Sequence, residues 1–357
     1  MMKMNDWIKK IYVESFMYDF GIHFIKRFHW LLWIYDKTEW NWVGRLLCSF
    51  ENFEYYRETK RRKEFSNNYQ NVLEEHLNEI VTLLEKSSLP SPILLEAIND
   101  TSGFEHFNAE SVPWFGENYI AVNSGICFYS HILVRCLQPY FIDIQFGQNS
   151  WWGQRLNWYW NRRFVISSVA YVSKDFQSAL MLMSLIPEDD SLLEGIEKFV
   201  ISHEYAHLMI RTYGYEKFKF NSYFNKETVL MIMNDEEVAA DSIALLILYF
   251  MSKRESKSFY LLYGPQFIFA ILSCYEQGKL IETPKSHPSF FSRYNYLKDM
   301  INQLEPNDLY EKFDGVIWNI WENNKDKIKI QSIKKIDFLN KYVDICGKLY
   351  YRYGSEG

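Results

Sequence analysis

The stretch His203-Glu204-Tyr205-Ala206-His207 decides how this chain of 357 residues is read. Two imidazoles four positions apart on a helix project from one face, so they can grip a single metal ion from neighbouring turns. Glu204 falls between them, where its carboxylate can reach a water held on that metal. That is the layout of a zinc hydrolase, in which the metal acidifies water and the carboxylate takes its proton. The flanking residues predict the helix that this requires. Ser191-Leu192-Leu193-Glu194 has the form of a capping box. Beyond it Ile196, Phe199, Val200, His203, Ala206, His207 and Ile210 recur at three- and four-residue intervals, and Gly214 offers a stop. Both histidines therefore face the apolar interior, where two imidazoles side by side are costly unless something satisfies them.

A zinc hydrolase needs three protein ligands and one open position. Asn234-Asp235-Glu236-Glu237-Val238-Ala239-Ala240-Asp241 opens a second helical stretch that continues through Ile243, Leu245, Leu246, Leu248 and Phe250, with Asn234 or Asp235 as N-cap. Glu237 and Asp241 lie four apart on one face amid small residues, which let this helix approach the histidine helix closely. Glu237 is the expected third ligand, and Asp241 the acceptor that orients a liganding histidine through its free nitrogen. The helix dipole alone accounts for Asp235 and Glu236 in the first turn, so a change at Glu236 is expected to be nearly silent. Asp241 sits deeper, on a face otherwise made of Ala and Leu.

His-Glu-x-x-His followed by Glu-x-x-Ala-Asp resembles the gluzincin metallopeptidases, in particular the family of the CAAX prenyl protease and the HtpX heat-shock peptidase. Ser286-His287-Pro288-Ser289-Phe290-Phe291-Ser292-Arg293-Tyr294-Asn295-Tyr296-Leu297 is similar to that family's late His-Pro-x-x-x-x-Arg-x-x-x-Leu segment. Asn118-Tyr119-Ile120-Ala121-Val122-Asn123-Ser124-Gly125 resembles the strand that precedes the active-site helix. The resemblance spans roughly residues 118–297. It departs from the family in two respects: no segment reaches the apolar length that spans a bilayer, and the link from His207 to Glu237 is short. A looser likeness, resting on the active-site helix and the soluble character, is to the Lit-type phage-exclusion peptidase, which cleaves a host translation factor.

The resemblance implies a zincin-like core with Zn2+ as cofactor and with Glu204, His287 and Arg293 as catalytic residues. Glu204 would be general base and then proton donor to the leaving amine. Of His287 and Arg293, one would stabilise the oxyanion and the other would tie Asp241 or the ligand helix in place. Chemistry alone also reads His287-Pro288 as a helix start, with Pro288 at the first helical position, and Arg293 as a surface residue. The resemblance further makes Tyr119–Val122 an edge strand along which a peptide or protein substrate could add as one more strand. The alternative is an ordinary buried strand.

Composition narrows the remaining classes. A net charge of −6 and the lack of an extended basic tract exclude the electrostatic footprint of a nucleic-acid binder, although Trp151–Arg163 interleaves five aromatics with three arginines. That segment is expected to be structural or substrate-facing. Lys9, Lys10, Glu14, Asp19, Lys26 and Arg27 interrupt every apolar run of the N-terminal stretch, so neither a signal peptide nor a membrane anchor is expected. Arg57–Lys63 reads as a solvated helix face. Cys48, Cys127, Cys136, Cys274 and Cys346 are odd in number and show no Cys-x-x-Cys motif, which points to a reducing, cytoplasmic location. His23, His29, His76, His106 and His131 have no partner at metal spacing and are expected to be structural.

The expected fold is α+β and mainly helical, with a small antiparallel sheet beside the active-site helix. Strands are expected at Tyr119–Val122 and Phe164–Val172, and helices over 71–86, 191–212, 235–252, 265–277 and 289–303. Pro90 and Pro92 mark a boundary between an N-terminal helical region, 1–92, and a metallopeptidase domain with a helical extension, 93–357. The leading function is a soluble zinc endopeptidase. The competing one is a zinc-stabilised regulatory or interaction protein that hydrolyses nothing.

Overall fold

The computed structural model describes residues 69–353, apart from 88, 91–92, 94–95, 101–108, 115–116, 146–160, 162–163, 173–190, 255–257 and 284–286. The N-terminal stretch, the basic run 57–63 and the Trp-rich segment 151–160 lie outside the described residues. In chain order come helix α1 over 69–86, strands β1 (Glu96–Asp100), β2 (Ala109–Trp114) and β3 (Glu117–Asn123), and helix α2 (Ser124–Gln145). A helical segment α3 over 164–172 follows, and then α4 (Ser191–Tyr213), α5 (Lys226–Asn234) and α6 (Glu236–Arg254). Helices α7 (Ser258–Gln277), α8 (Phe290–Leu304) and α9 (Asp308–Tyr353) complete the fold.

The described residues are thus mainly helical with one small sheet, ordered β1-β3-β2. β2 and β3 pair antiparallel, with Ser111 opposite Ile120, so the expected antiparallel pairing is present but its second strand is 109–114 and not 164–172. β1 joins the other side of β3 in parallel, with Ile98 opposite Ala121, so the sheet is mixed. Tyr119–Val122 therefore lies in the central strand and cannot be the edge. The edge nearest α4 is β2, which packs on that helix. Ile120 and Val122 alternate inward into the core.

Residues 164–172 are helical, not a strand. Their β-branched and aromatic composition favours a strand, but tertiary burial overrides that preference. Phe164, Val165, Ser167, Ser168 and Ala170 are all buried. Ser168 donates back to the Phe164 carbonyl at 2.7 Å and accepts from Tyr275 Oη at 2.8 Å, which satisfies its hydroxyl inside a helix.

Helix α4 is the axis of the molecule, packed against α2, α6 and α7. Its contact with α7 is set by two glycines. A Cβ on Gly264 would lie 2.7 Å from the Gly195 carbonyl carbon, and one on Gly195 would lie 2.6 Å from the Leu261 oxygen. Pro265 removes the helical donor to that same Leu261 oxygen. The two backbones meet where neither residue carries a side chain. At the other end, Gly214 adopts φ 76° and its N–H closes on the Ile210 carbonyl at 2.8 Å, which ends α4 where the sequence places its stop.

Helix α1 contributes Leu73, Leu77, Ile80 and Leu84 to the same continuous core as α4 and α7. It also meets α4 through buried charges: His76 lies 3.0 Å from Glu197, and Lys198 pairs with Glu79 and Glu194. His76 is structural, as expected. On the far side, Asp314 of α9 is buried and accepts from Tyr263 (2.9 Å), Gln266 (2.6 Å) and Tyr294 (2.7 Å), tying α7, α8 and α9 together.

Replacing Gly264 or Gly195 with Ala should force the α4–α7 backbones apart, at a cost of about 1–3 kcal/mol for overpacking. Gly315→Ala on α9, whose Cβ would meet nothing within 4 Å, should instead leave stability unchanged or raise it by up to about 1 kcal/mol. Urea denaturation midpoints of the three variants test the contrast.

Candidate metal centre

His203 and His207 project from adjacent turns of α4, with their Nε2 atoms 3.2 Å apart. Two imidazole nitrogens at that distance need a proton or a metal cation between them, since two lone pairs repel. Glu237, in the first turn of α6, faces both rings: Oε2 lies 3.5 Å from His203 Nε2 and Oε1 lies 3.5 Å from His207 Nε2. One donor atom from each of the three residues falls within 4.8 Å of the others, and the group could hold a metal ion. Oε2 of Glu237 is buried and lies 3.0 Å from His287 Nδ1. A buried carboxylate aimed at two facing imidazoles suits a bound cation.

The first turn of α6 is set by Asp235, whose Oδ1 accepts from the N–H groups of Glu237 (2.9 Å) and Val238 (3.3 Å). Of the two capping candidates it is Asp235 that serves here, Asn234 being the last residue of α5. Behind Glu237, Asp241 has no exposed surface. Its Oδ1 lies 2.8 Å from His203 Nδ1, and Arg293 of α8 grips both its oxygens, Nε at 2.9 Å and an Nη at 2.5 Å. Tyr296 adds a longer bond of 3.3 Å. With the Nδ1 proton held toward Asp241, His203 presents Nε2 to the centre. Arg293 is no surface residue: its guanidinium also stacks 4.3 Å over the Phe269 ring.

His207 has a separate carboxylate behind it. Its Nδ1 lies 2.9 Å from Glu236 Oε1. Glu236 faces away from the centre and is not a ligand, but it is also not idle. Neighbouring helix positions point about 100° apart, so two consecutive glutamates can address a histidine from its front and another from its back. The helix dipole therefore does not account for Glu236 alone, and the adjacency of the two glutamates is the sequence signal for its second role.

The electrostatics follow from this arrangement. Burial opposes charge on His203, but Asp241 and Glu237 overcome it and raise its pKa to about 9. Burial and the neighbouring His203 charge lower the pKa of His207. Burial would raise Glu237, yet His203, Arg293 and His287 bring it down to about 2. Asp241 is likewise held low by Arg293 and His203 against its burial. Glu204 differs. Burial lifts it to about 6, and Glu237 adds to that lift, against the opposing pull of His203 and a backbone hydrogen bond from Ser111.

Glu204 is only 8% exposed and stands between two cavities. One, of about 130 Å³, is largely apolar and reaches toward α7. The other, of about 640 Å³, is polar and lined by β2, Arg211 and the start of α6. His287 borders both, 40% exposed. Pro288 does not open the helix: Ser289 caps it, accepting from the Ser292 N–H at 3.1 Å, and α8 begins at Phe290. All seven residues singled out from the sequence therefore meet at one place. Comparison with protein-family models, curated proteins and solved structures finds no match for this chain.

Affinity for a divalent metal should fall on removing either carboxylate behind the histidines, within the range of about 10- to 100-fold seen for such partners. Asp241→Asn should lie at the high end, because Asp241 is fully buried. Glu236→Ala should lie at the low end, because Glu236 is 46% exposed. Competition against a chromophoric chelator measures both. A Glu236→Ala protein with wild-type affinity would remove its assigned role.

Proposed function

We propose that the chain is a zinc-dependent endopeptidase with Glu204 as general base. The observation that carries this reading is the donor set. Zinc with bonds of about 2.0–2.1 Å in a tetrahedral site places its ligand atoms about 3.3 Å apart. The two imidazole nitrogens lie 3.2 Å apart, each lies 3.5 Å from a different oxygen of Glu237, and one donor atom from each residue falls within 4.8 Å of the others. Two imidazoles and a carboxylate leave one position open, as hydrolytic zinc requires. The three motifs shared with the CAAX protease and HtpX family support the same assignment.

Zinc bound there would acidify a water and polarise the substrate carbonyl. The protein's own residues supply the rest. Glu204, with its pKa lifted by burial, takes a proton from the attacking water onto its carboxylate and passes it to the leaving amine nitrogen. Arg293 is committed to Asp241, so it orients the His203 ring and does not face the reacting carbonyl. His287, at the mouth of both cavities, is the group left to donate a hydrogen bond to the oxyanion. The Ser111 N–H points to Glu204, which turns the free edge of β2 toward the centre. An extended peptide would lie along β2, in place of the Tyr119–Val122 strand that the sequence suggested.

A protein that held zinc only for stability would gain nothing from a buried carboxylate between its histidine ligands, and such burial is costly. Among the described residues no helix is long and apolar enough to cross a membrane.

Two measurements test the proposal. Elemental analysis of the native protein should find one zinc per chain, strongly reduced in His203→Ala and in Glu237→Gln. Glu204→Gln should retain zinc and fold while losing hydrolysis by at least about 100-fold, as expected for removal of a general base. A Glu204→Gln protein that cleaved at the wild-type rate would sink the mechanism.

A further inference from the structure

His287 lies in the loop between the end of α7 and the start of α8 and belongs to no helix or strand. It is 40% exposed, yet its Nδ1 stands 3.0 Å from Glu237 Oε2. Pro288 after it favours an extended backbone, which aims the residue without tethering it. An exposed loop side chain keeps one position only if the loop itself is held.

Glu276, in the last turn of α7, reaches both flanks of His287. The Thr283 hydroxyl donates to its Oε1, and the Phe291 N–H donates to its Oε2 at 3.1 Å. Thr283 lies four residues before His287 and Phe291 four after, so one carboxylate draws the two flanks together. A negative charge in the last turn of α7 opposes that helix's dipole, whereas the same charge at the start of α8 is favoured. Glu276 thus serves α8 and the loop, not its own helix. The backbone that carries it is stiff. The Lys279 N–H closes on the Glu276 carbonyl and the Leu280 N–H on the Tyr275 carbonyl, each at 2.9 Å. Gly278 packs on Trp321, where an added Cβ would lie 2.6 Å from the ring.

We propose that Glu276 is the positioning residue for His287: it clamps the loop by both flanks and so sets the imidazole against Glu237 at the mouth of the two cavities. The inference rests on the peptidase reading, in which His287 donates to the oxyanion. Thr283 and His287 both border the 130 Å³ cavity, so the clamped residue and the ring it places face the same space. Glu276 bonds to Thr283 and Phe291 and not to a proposed ligand, so its effect on turnover passes through His287.

A double-mutant cycle on the zinc-loaded full-length protein, with a cleaved peptide found by library screening, tests the link to turnover. His287→Ala should lower kcat about 100-fold, the loss of one oxyanion donor. Glu276→Ala should lower kcat about 10- to 100-fold with KM little changed, as for a catalytic group displaced by about 1 Å. In the His287→Ala background the same substitution should cost less than about 2-fold, because the group it positions is gone. Thr283→Val should reproduce part of the loss, and Thr283→Ser, which restores the hydroxyl, should recover it. Equal losses from Glu276→Ala with and without His287 would mark a general structural role and overturn the inference. A second readout needs no turnover. Modification of His287 by diethyl pyrocarbonate, followed by mass spectrometry, should be faster in Glu276→Ala at unchanged zinc content. An unchanged rate, even with a lowered melting temperature, overturns the clamp. If the wild type cleaves nothing, the peptidase reading falls and the modification rate alone decides the clamp.

Discussion

A carboxylate with no solvent exposure has to be neutralised where it stands, and Asp241 imposes that demand on the rest of the centre. It is met by Arg293 from α8 and by His203 from α4, each within 3 Å. Three helices are thereby brought into one relative register. Small residues make it reachable, since Ala239, Ala240 and Ala244 are fully buried and let α6 lie close to its neighbours. A buried charge of this kind adds little net stability over an apolar replacement. What it supplies is geometry: the His203 ring cannot turn without giving up its 2.8 Å contact with Asp241.

The two histidines are held unequally, and the inequality separates a fixed ring from a more adjustable one. His203 is backed by the buried Asp241, itself locked by Arg293. His207 is backed by Glu236, which is nearly half exposed and has only Arg211 beside it at 3.9 Å. Solvent screens that second pair, so it restrains His207 less. Glu237 stands in front of both rings and His287 touches Glu237 from the open side. The centre is thus rigid toward α8 and open toward β2, which matches a cleft entered from the strand side.

The backbone contact of α4 with α7 carries a second constraint. Because Gly195 and Gly264 meet without side chains, α7 comes near enough for Ile268, Phe269 and Leu272 to wall the chamber beside Glu204. The same approach sets Phe269 under Arg293, so the packing that shapes the chamber also steadies the guanidinium that holds Asp241. The chamber wall and the support of Arg293 share one aromatic ring.

The sequence by itself determined the helix of His203, Glu204 and His207, the second helix with Glu237 and Asp241, and the third with Arg293. In each case the information is local: helical spacing fixes which side chains share a face, and caps at Asp235 and Gly214 fix the ends. It also called for the first two of these helices to meet, because two buried imidazoles and a carboxylate on an Ala-rich face require partners, while Arg293 read equally well as a surface residue. Only the tertiary structure decided which strand is the edge, since pairing is a relation between distant segments and β1 covers the flank of β3 that a single strand cannot reveal. It alone decided that 164–172 is a helix, because burial against Tyr275 and Cys136 outweighs a preference for strand. It likewise decided that Glu236 reaches His207, that Arg293 grips Asp241 and that His287 meets Glu237. Those depend on where a side chain reaches across to another helix, and no periodicity within one segment encodes that distance.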